Sequence, residues 1–200
     1  MLYAIAAVIL SYLLGSVSFS IMAAKLVKGI DIRQHGSGNA GATNTLRVLG
    51  KGPGIIVFLL DIGKGIAAVL LGAALSGQSD WVPVLCGLAA IVGHNWPIWY
   101  RFKGGKGVAT TVGVMATLAF IPALIAGIIT ILVIAITRYV SLGSLVFAVL
   151  TPIILVIMEA SLPILLVSLI LGIFSFIRHR TNIVKLWQGQ ENKLGAKKGQ

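Results

Sequence analysis

The chain is short of charge. Only 10% of its 200 residues are Asp, Glu, Lys or Arg, while 58% are hydrophobic. A soluble domain carries roughly 25% charged residues, so a soluble core does not explain this composition. Acidic groups are scarcest: five, against 16 Lys and Arg, for a formal net charge of +11. No two of them are close enough to build a carboxylate cluster, so neither a metal nor magnesium-dependent phosphoryl transfer is expected. The lone cysteine, Cys86, excludes an intrachain disulfide and reads as a small buried hydrophobe. No polar stretch is long enough for a second domain; only residues 25–53 and 178–200 exceed turn length. The N-terminus has no basic n-region, so it reads as a retained first helix rather than a cleaved signal. No histidine is followed five positions later by Asp, because Ala40, Trp99 and Val184 occupy those places. The His-x-x-x-x-Asp acyltransferase device is therefore missing. No nucleic-acid module is visible and the basic residues flank apolar runs, so no nucleic-acid partner is expected.

What the chain does have is long apolar segments, at residues 1–24, 54–75, 81–99, 108–137 and 142–177. A transmembrane helix needs about 20 such residues. All the Lys and Arg residues can be placed at or just inside one face, and the opposite connections carry none. One-sided basic residues mark that face as cytoplasmic. The stretch 108–177 begins and ends on the basic side, so it crosses an even number of times. Two crossings would be overlong and would strand Arg138 on the far side. Four short ones, with turns near 120–122, 138–141 and 159–163, put Arg138 on the basic side and Glu159 opposite. The expectation is an all-α integral membrane protein with seven transmembrane helices, the N-terminus outside and the C-terminus cytoplasmic. It forms one domain, 1–200, with polar segments 33–51, 101–110 and 178–200 at the cytoplasmic face. Within the second span, Asp61 and Lys64 are three apart and share a helix face. They are expected to pair and to support a site rather than contact substrate.

Three polar motifs carry chemistry. The first runs His35-Gly36-Ser37-Gly38-Asn39-Ala40-Gly41-Ala42-Thr43-Asn44 and ends with Arg47. Residues 36–41 match G-x-G-x-x-G, but a dinucleotide site needs a βαβ unit, which the membrane spans exclude. The physical content survives: glycines let backbone N–H groups reach an anion, and a helix N-terminus favours negative charge. Ser37, Asn39, Thr43 and Asn44 add neutral donors, and Arg47 adds a planar fork suited to phosphate. The second motif is Lys103-Gly104-Gly105-Lys106-Gly107, opening a helix. It is not a Walker A loop, yet its glycines and lysines suit a phosphate cradle. Just before it lies Gly93-His94-Asn95-Trp96-Pro97, where His94 is expected to hold its helix to the loop. The third motif, residues 178–191, contains His179, Arg180, Asn182 and Glu191, with Ile183, Leu186 and Trp187 as an apolar stripe suited to the membrane surface.

Together these motifs resemble the acyl-phosphate:glycerol-3-phosphate acyltransferases, the PlsY family of bacterial inner-membrane enzymes. The likeness rests on GSGNAGATNTLR at 36–47, DIGKG at 61–65, GHNWP at 93–97, FKGGKGVAT at 102–110 and HRTNIVKLWQGQE at 179–191. It implies acyl transfer from a fatty acyl-phosphate to glycerol 3-phosphate. The products would be lysophosphatidic acid and phosphate, in phospholipid synthesis, with no cofactor. Location would be the bacterial inner membrane, with the active site at the cytoplasmic face. Both substrates carry phosphate, which gives the basic and glycine-rich loops a purpose. Ser37, Arg47, Lys106, Gly104 and Gly105 are then expected to bind phosphate and stabilise developing charge. His179 and Asn182 are expected to close the site. Gly36, Gly38, Asn39, Thr43, Asn44, Lys103, Gly107, Arg180 and Glu191 are candidate substrate contacts. Either His179 or the phosphate of glycerol 3-phosphate takes the proton of the attacking hydroxyl. An exposed tail offers little to tune a histidine, which favours the phosphate. The rival class is a transporter of phosphate-type anions, for which intramembrane Asp61 and Lys64 would also serve.

Overall fold

The computed structural model describes residues 2–75 and 79–195, so the last five residues of segment 178–200 lie outside the described residues. Among the described residues every regular element is a helix and none is a strand. The chain divides into two compact units, Met1–Leu118 and Ala119–Gln200.

The first unit holds α1 (Leu2–Gly15), α2 (Phe19–Lys28), α3 (Ala42–Leu49), α4 (Lys51–Leu75), α5 (Trp81–Asn95) and α6 (Val108–Leu118). Helices α1 and α2 are one apolar run broken at residues 16–18. At the break Ser16 donates to the Tyr12 carbonyl from both its N–H, at 2.9 Å, and its Oγ, at 2.8 Å, and α2 restarts at Phe19. Gly29 ends α2 at φ +68°, its N–H reaching the Ala24 and Lys25 carbonyls, a left-handed cap that favours glycine. Helices α1, α4, α5 and α6 pack at distances only small residues permit. A Cβ at Gly15 would overlap the Ala90 carbonyl, one at Gly93 the Tyr12 carbonyl, and one at Gly65 the Thr110 carbonyl. Lipid tails are as apolar as leucine, so close backbone approach, rather than apolar burial, holds such helices together.

The second unit holds α7 (Phe120–Thr137), α8 (Val140–Ile157), α9 (Leu162–Arg178) and α10 (Arg180–Trp187). Arg138 ends α7 in the left-handed region at φ +63°. The turn it makes also anchors the tail. Leu194 N–H donates to the Arg138 carbonyl at 2.7 Å, and the Arg138 guanidinium donates back to the Leu194 carbonyl at 2.8 Å and 3.1 Å. Lys193 Nζ sits 5.6 Å from the Tyr139 ring centre.

Five helices are long and apolar enough to cross a membrane, counting residues 2–28 as one; a sixth is possible if α9 and α10, bent by 61°, form one span. Large apolar side chains point outward, among them Leu26 and Ile136, each 82% exposed. Four helices occupy 108–177, as expected, but the shortest is not among those long enough to cross by themselves. Helix α6 has 11 residues, about 16 Å at 1.5 Å per residue, against a hydrocarbon core of about 30 Å. The first expected turn also shifts. The break falls at Ala119, and Pro122 lies in the first turn of α7, where a missing N–H costs nothing.

Substituting a packed glycine separates backbone approach from composition. Gly93→Ala and Gly65→Ala are expected to destabilise the protein by about 1–3 kcal/mol, seen as a lower Tm in detergent. Gly63→Ala and Gly127→Ala, where nothing lies within 4 Å, should leave Tm unchanged or raise it.

Candidate active site

In the first unit the two glycine-rich motifs form one surface. Its base is a short helical turn at Ile32–Gln34, begun by Asp31, whose carboxylate accepts the Arg33 N–H at 3.0 Å. The same carboxylate grips the Arg33 guanidinium, with Nη2 to Oδ2 at 2.7 Å. Arg33 then reaches across, donating from Nη1 to the carbonyls of Tyr100 at 3.1 Å and Lys103 at 3.4 Å. One arginine thus clips the first motif to the second. The guanidinium holds the Asp31 carboxyl below its ordinary value. Asp31 therefore supports the clip fully above its unfolded pKa, and the support is lost only as pH falls through the lowered folded one. A fall in activity between pH 7 and 5 would not come from this pair.

Asn44 shapes the first loop. Fully buried, it accepts the Ser37 N–H on Oδ1 at 2.8 Å and donates from Nδ2 to the carbonyls of His35 at 2.9 Å and Ile32 at 3.2 Å. Both of its N–H bonds are spent inside the loop, so it is a brace and not the substrate donor expected of it. Gly36, at φ +62°, leaves room for it: a Cβ there would overlap Asn44 Oδ1. The braced loop exposes Gly36, Ser37 and Gly38. Arg47 is exposed on the last turn of α3, and Asn39 and Thr43 are half-buried.

The second loop differs more from expectation. Gly104 N–H donates to the Asn95 carbonyl at 3.3 Å and Gly105 N–H to the His94 carbonyl at 3.1 Å. These amides face the protein, so Gly104 and Gly105 do not present them to a phosphate. They are glycines for contact: a Cβ at Gly104 would overlap the His94 carbonyl, and one at Gly105 the Ala40 carbonyl and the His94 ring. Gly107 is buried against the Asn95 side chain, at φ +78°. Of the loop's two lysines, Lys103 is exposed and Lys106 half-buried. Through Gly105 the second loop packs against the first at Ala40.

Behind the loops Asp61, Lys64 and His94 are all buried. Lys64 Nζ lies 2.8 Å from Asp61 Oδ1, approached too far off axis for a hydrogen bond, and is thus an ion pair. The expected pairing is present. Nζ also meets the Val17 carbonyl at 2.9 Å and His94 Nδ1 at 2.9 Å. The Phe19 ring lies 5.5 Å from it.

The third motif lies in the second unit. His179 is the hinge between α9 and α10 and is 2% exposed, so the expectation of a histidine on an exposed tail is corrected. Its Nδ1 sits 2.8 Å from the Ser175 carbonyl. A carbonyl only accepts, so Nδ1 carries a proton, and in a neutral ring the lone pair would be on Nε2. Asn182 Nδ2 donates to both Glu191 oxygens at 2.9 and 3.0 Å. Glu191 is buried and braces Asn182, which moves it from substrate contact to support. Arg180 is exposed. Among the described residues, no three of His, Cys, Asp and Glu gather to hold a metal ion. Sequence reasoning did not single out Arg33, whose only signal is the Asp-x-Arg spacing that lets a turn cap itself.

The comparisons with known proteins agree along the whole chain. Residues 5–189 match a family model described as glycerol-3-phosphate acyltransferase. The chain is 61% identical over 198 residues to a glycerol-3-phosphate acyltransferase of Shouchella clausii, covering 96% of this chain and 97% of that protein. It is 56% identical over 196 residues to one of Halalkalibacterium halodurans, covering 96% and 95%. It resembles the solved structure of PlsY, an integral membrane glycerol 3-phosphate acyltransferase, in its glycerol 3-phosphate form, with TM-score 0.91, 40% identity and 96% of each chain covered. The lysophosphatidic acid form of PlsY gives TM-score 0.88 at 39% identity, covering 96% and 95%.

Asn44→Ala would remove three bonds that shape the first loop. It is expected to lower kcat/KM by on the order of 10–100-fold through misplacement of Ser37. It should also cost about 1–3 kcal/mol of stability. Activity assays alongside thermal unfolding check both.

Proposed function

Since this chain belongs to the glycerol-3-phosphate acyltransferase family, we propose that it transfers a fatty acyl group from acyl-phosphate to glycerol 3-phosphate in phospholipid synthesis. The products are 1-acylglycerol 3-phosphate and inorganic phosphate. The observation that carries this reading is the joined loop surface: exposed Ser37 and Arg47 on one loop, Lys103 and Lys106 on the other, fastened by Arg33 and Gly105. Two phosphate-bearing substrates need such a surface. The resemblance and the missing His-x-x-x-x-Asp pair both favour acyl-phosphate over a thioester donor.

In the reaction the glycerol hydroxyl oxygen attacks the acyl carbon. The bond from that carbon to the phosphate oxygen breaks, and phosphate leaves with the electron pair. Ser37, Arg47 and Lys106 bind phosphate oxygens and offset the charge that builds there. Gly36, Gly38, Asn39, Thr43, Lys103 and Arg180 line the substrates. His179 and Asn182 serve the same reaction, within one membrane-embedded domain over 1–200. The hydroxyl proton goes to the substrate's own phosphate. His179, with its proton fixed on Nδ1, offers Nε2 as an acceptor to a hydroxyl or protonated phosphate.

The membrane arrangement in this reading keeps seven crossings of the bacterial inner membrane, with α6 a short one, the N-terminus outside and the loop surface cytoplasmic. The one-sided Lys and Arg residues support it. In a chain lacking Cys86, single cysteines at Ser79 and Ala160 should label from outside intact cells. Those at Gln34, Lys103 and Gly189 should not. Outside labelling of position 103 would reverse the orientation.

Incubating the purified protein with palmitoyl-phosphate and glycerol 3-phosphate, and looking for lysophosphatidic acid, tests the function. No product, with phosphate flux in liposomes instead, would make the protein a transporter. Lys106→Ala and Arg47→Ala are each expected to slow turnover on the order of 10²–10³-fold. Arg47→Lys should also be poor, since it loses the planar fork. Near-normal turnover in both alanine variants would remove these residues from the site.

The proton acceptor is read from a pH–rate profile of His179→Gln. A phosphate monoester loses its second proton near pH 6, at about 6, so its base form fails below that pH. The acidic limb is expected to persist in the variant, with a modest loss of kcat. A vanished limb would assign the base to His179 instead.

A further inference from the structure

The buried Asp61, Lys64 and His94 take no part in binding phosphate as described above. Resting on that reading of the loops, we propose that Asp61 and Lys64 are positioning residues. They fix His94 with its proton on Nε2, and His94 so fixed holds the second loop, and with it Lys106, against the first.

Charge decides the protonation. One carboxylate lies among two possible cations, and all three groups are buried. A single cation balances it, whereas a second would be an uncompensated buried charge. An ammonium is more basic than an imidazole by about 4 pH units in water, so Lys64 is the cation and His94 is neutral. Lys64 then donates to the Val17 carbonyl at 2.9 Å and to His94 Nδ1 at 2.9 Å, with Asp61 Oδ1 at 2.8 Å as its counter-ion. An ammonium has no lone pair to accept with, so Nδ1 is bare and the ring proton is on Nε2.

The place of Nε2 gives that proton a purpose. Nε2 and the Ala40 carbonyl oxygen both border Gly105, where a Cβ would overlap each of them. An N–H on that side faces an acceptor. A lone pair would face another lone pair and push the loops apart. His94 also takes the Gly105 N–H on its own carbonyl at 3.1 Å. Main chain and ring of one residue thus grip the glycine that precedes Lys106. The chain of influence runs from α4 through α5 to the loop without either charge touching substrate.

The test uses the full chain labelled with 15N-histidine, the His94 signal being assigned by its loss in His94→Gln. The wild type is expected to show a proton on Nε2 alone. The double variant Asp61→Leu/Lys64→Met removes both charges together, so no unpaired charge is left buried. It should release the single tautomer and lower kcat on the order of 10–100-fold. A proton on Nδ1 in the wild type, or wild-type kcat and KM in the double variant, would overturn the proposal. Two single variants give a readout independent of that double change. Asn places a polar atom near the Nδ1 position and Gln near Nε2. His94→Gln should keep activity within a few-fold while His94→Asn loses it; the reverse order would mean that His94 serves Lys64 alone. If the wild type makes no lysophosphatidic acid, the functional reading fails, while the tautomer measurement still judges the cluster.

Discussion

One ammonium group inside an apolar bundle organises the first unit. Lys64 cannot be buried without partners, and each partner comes from a different element. The carboxylate is one turn away on α4, the imidazole is on α5, and the carbonyl of Val17 is released by the break between α1 and α2. A continuous helix would have spent that carbonyl in its own ladder. The break between α1 and α2 is therefore as much a part of the charge arrangement as the ion pair. Losing one member of a buried pair costs about 3–5 kcal/mol, a large share of the stability of any fold. The close glycine crossings at α1 and α5 keep the three donors and acceptors within reach.

Polar groups divide into those that shape and those that face outward. Asn44, Arg33 and the Gly104 and Gly105 amides are consumed in holding loops. Ser37, Arg47 and Lys103 are left exposed, with Lys106 half-buried, by that holding. The two buried histidines show the same division at atomic scale. His179 gives its Nδ1 proton to a carbonyl, while His94 offers Nδ1 to an ammonium. The partner, not the residue type, decides which ring nitrogen is basic.

Much of this was readable before any coordinates. Apolar run lengths and the placement of Lys and Arg located the helices, and Asp61 and Lys64, three apart, were bound to share a face. The motifs carried the family and hence the reaction class. What escaped the sequence was direction. A glycine pair is equally suited to receiving an anion and to receiving a carbonyl, and only packing told which occurred at Gly104 and Gly105. Asn44 looked like a donor because nothing in a string of letters shows that both its N–H groups are already engaged. His179 was misjudged as exposed because the bend between α9 and α10, which buries it, is a tertiary feature. The turn expected near 120–122 already implied a short α6; what the letters did not show is that Pro122 belongs to the first turn of α7 rather than to the break at Ala119.

The wall behind Gly104 and Gly105 includes the carbonyl groups of His94, Asn95 and Ala40, beside the Pro97 and His94 rings. A side chain in the way can be exchanged for a smaller one by a single codon change, but a carbonyl belongs to every residue type. A bulkier residue at either glycine therefore has no compensating substitution on the opposing face. Evolution can vary the apolar exterior of this protein freely and still find the loop junction closed to it. An inhibitor seated on that junction would rest on a surface whose shape the chain has no simple means to alter.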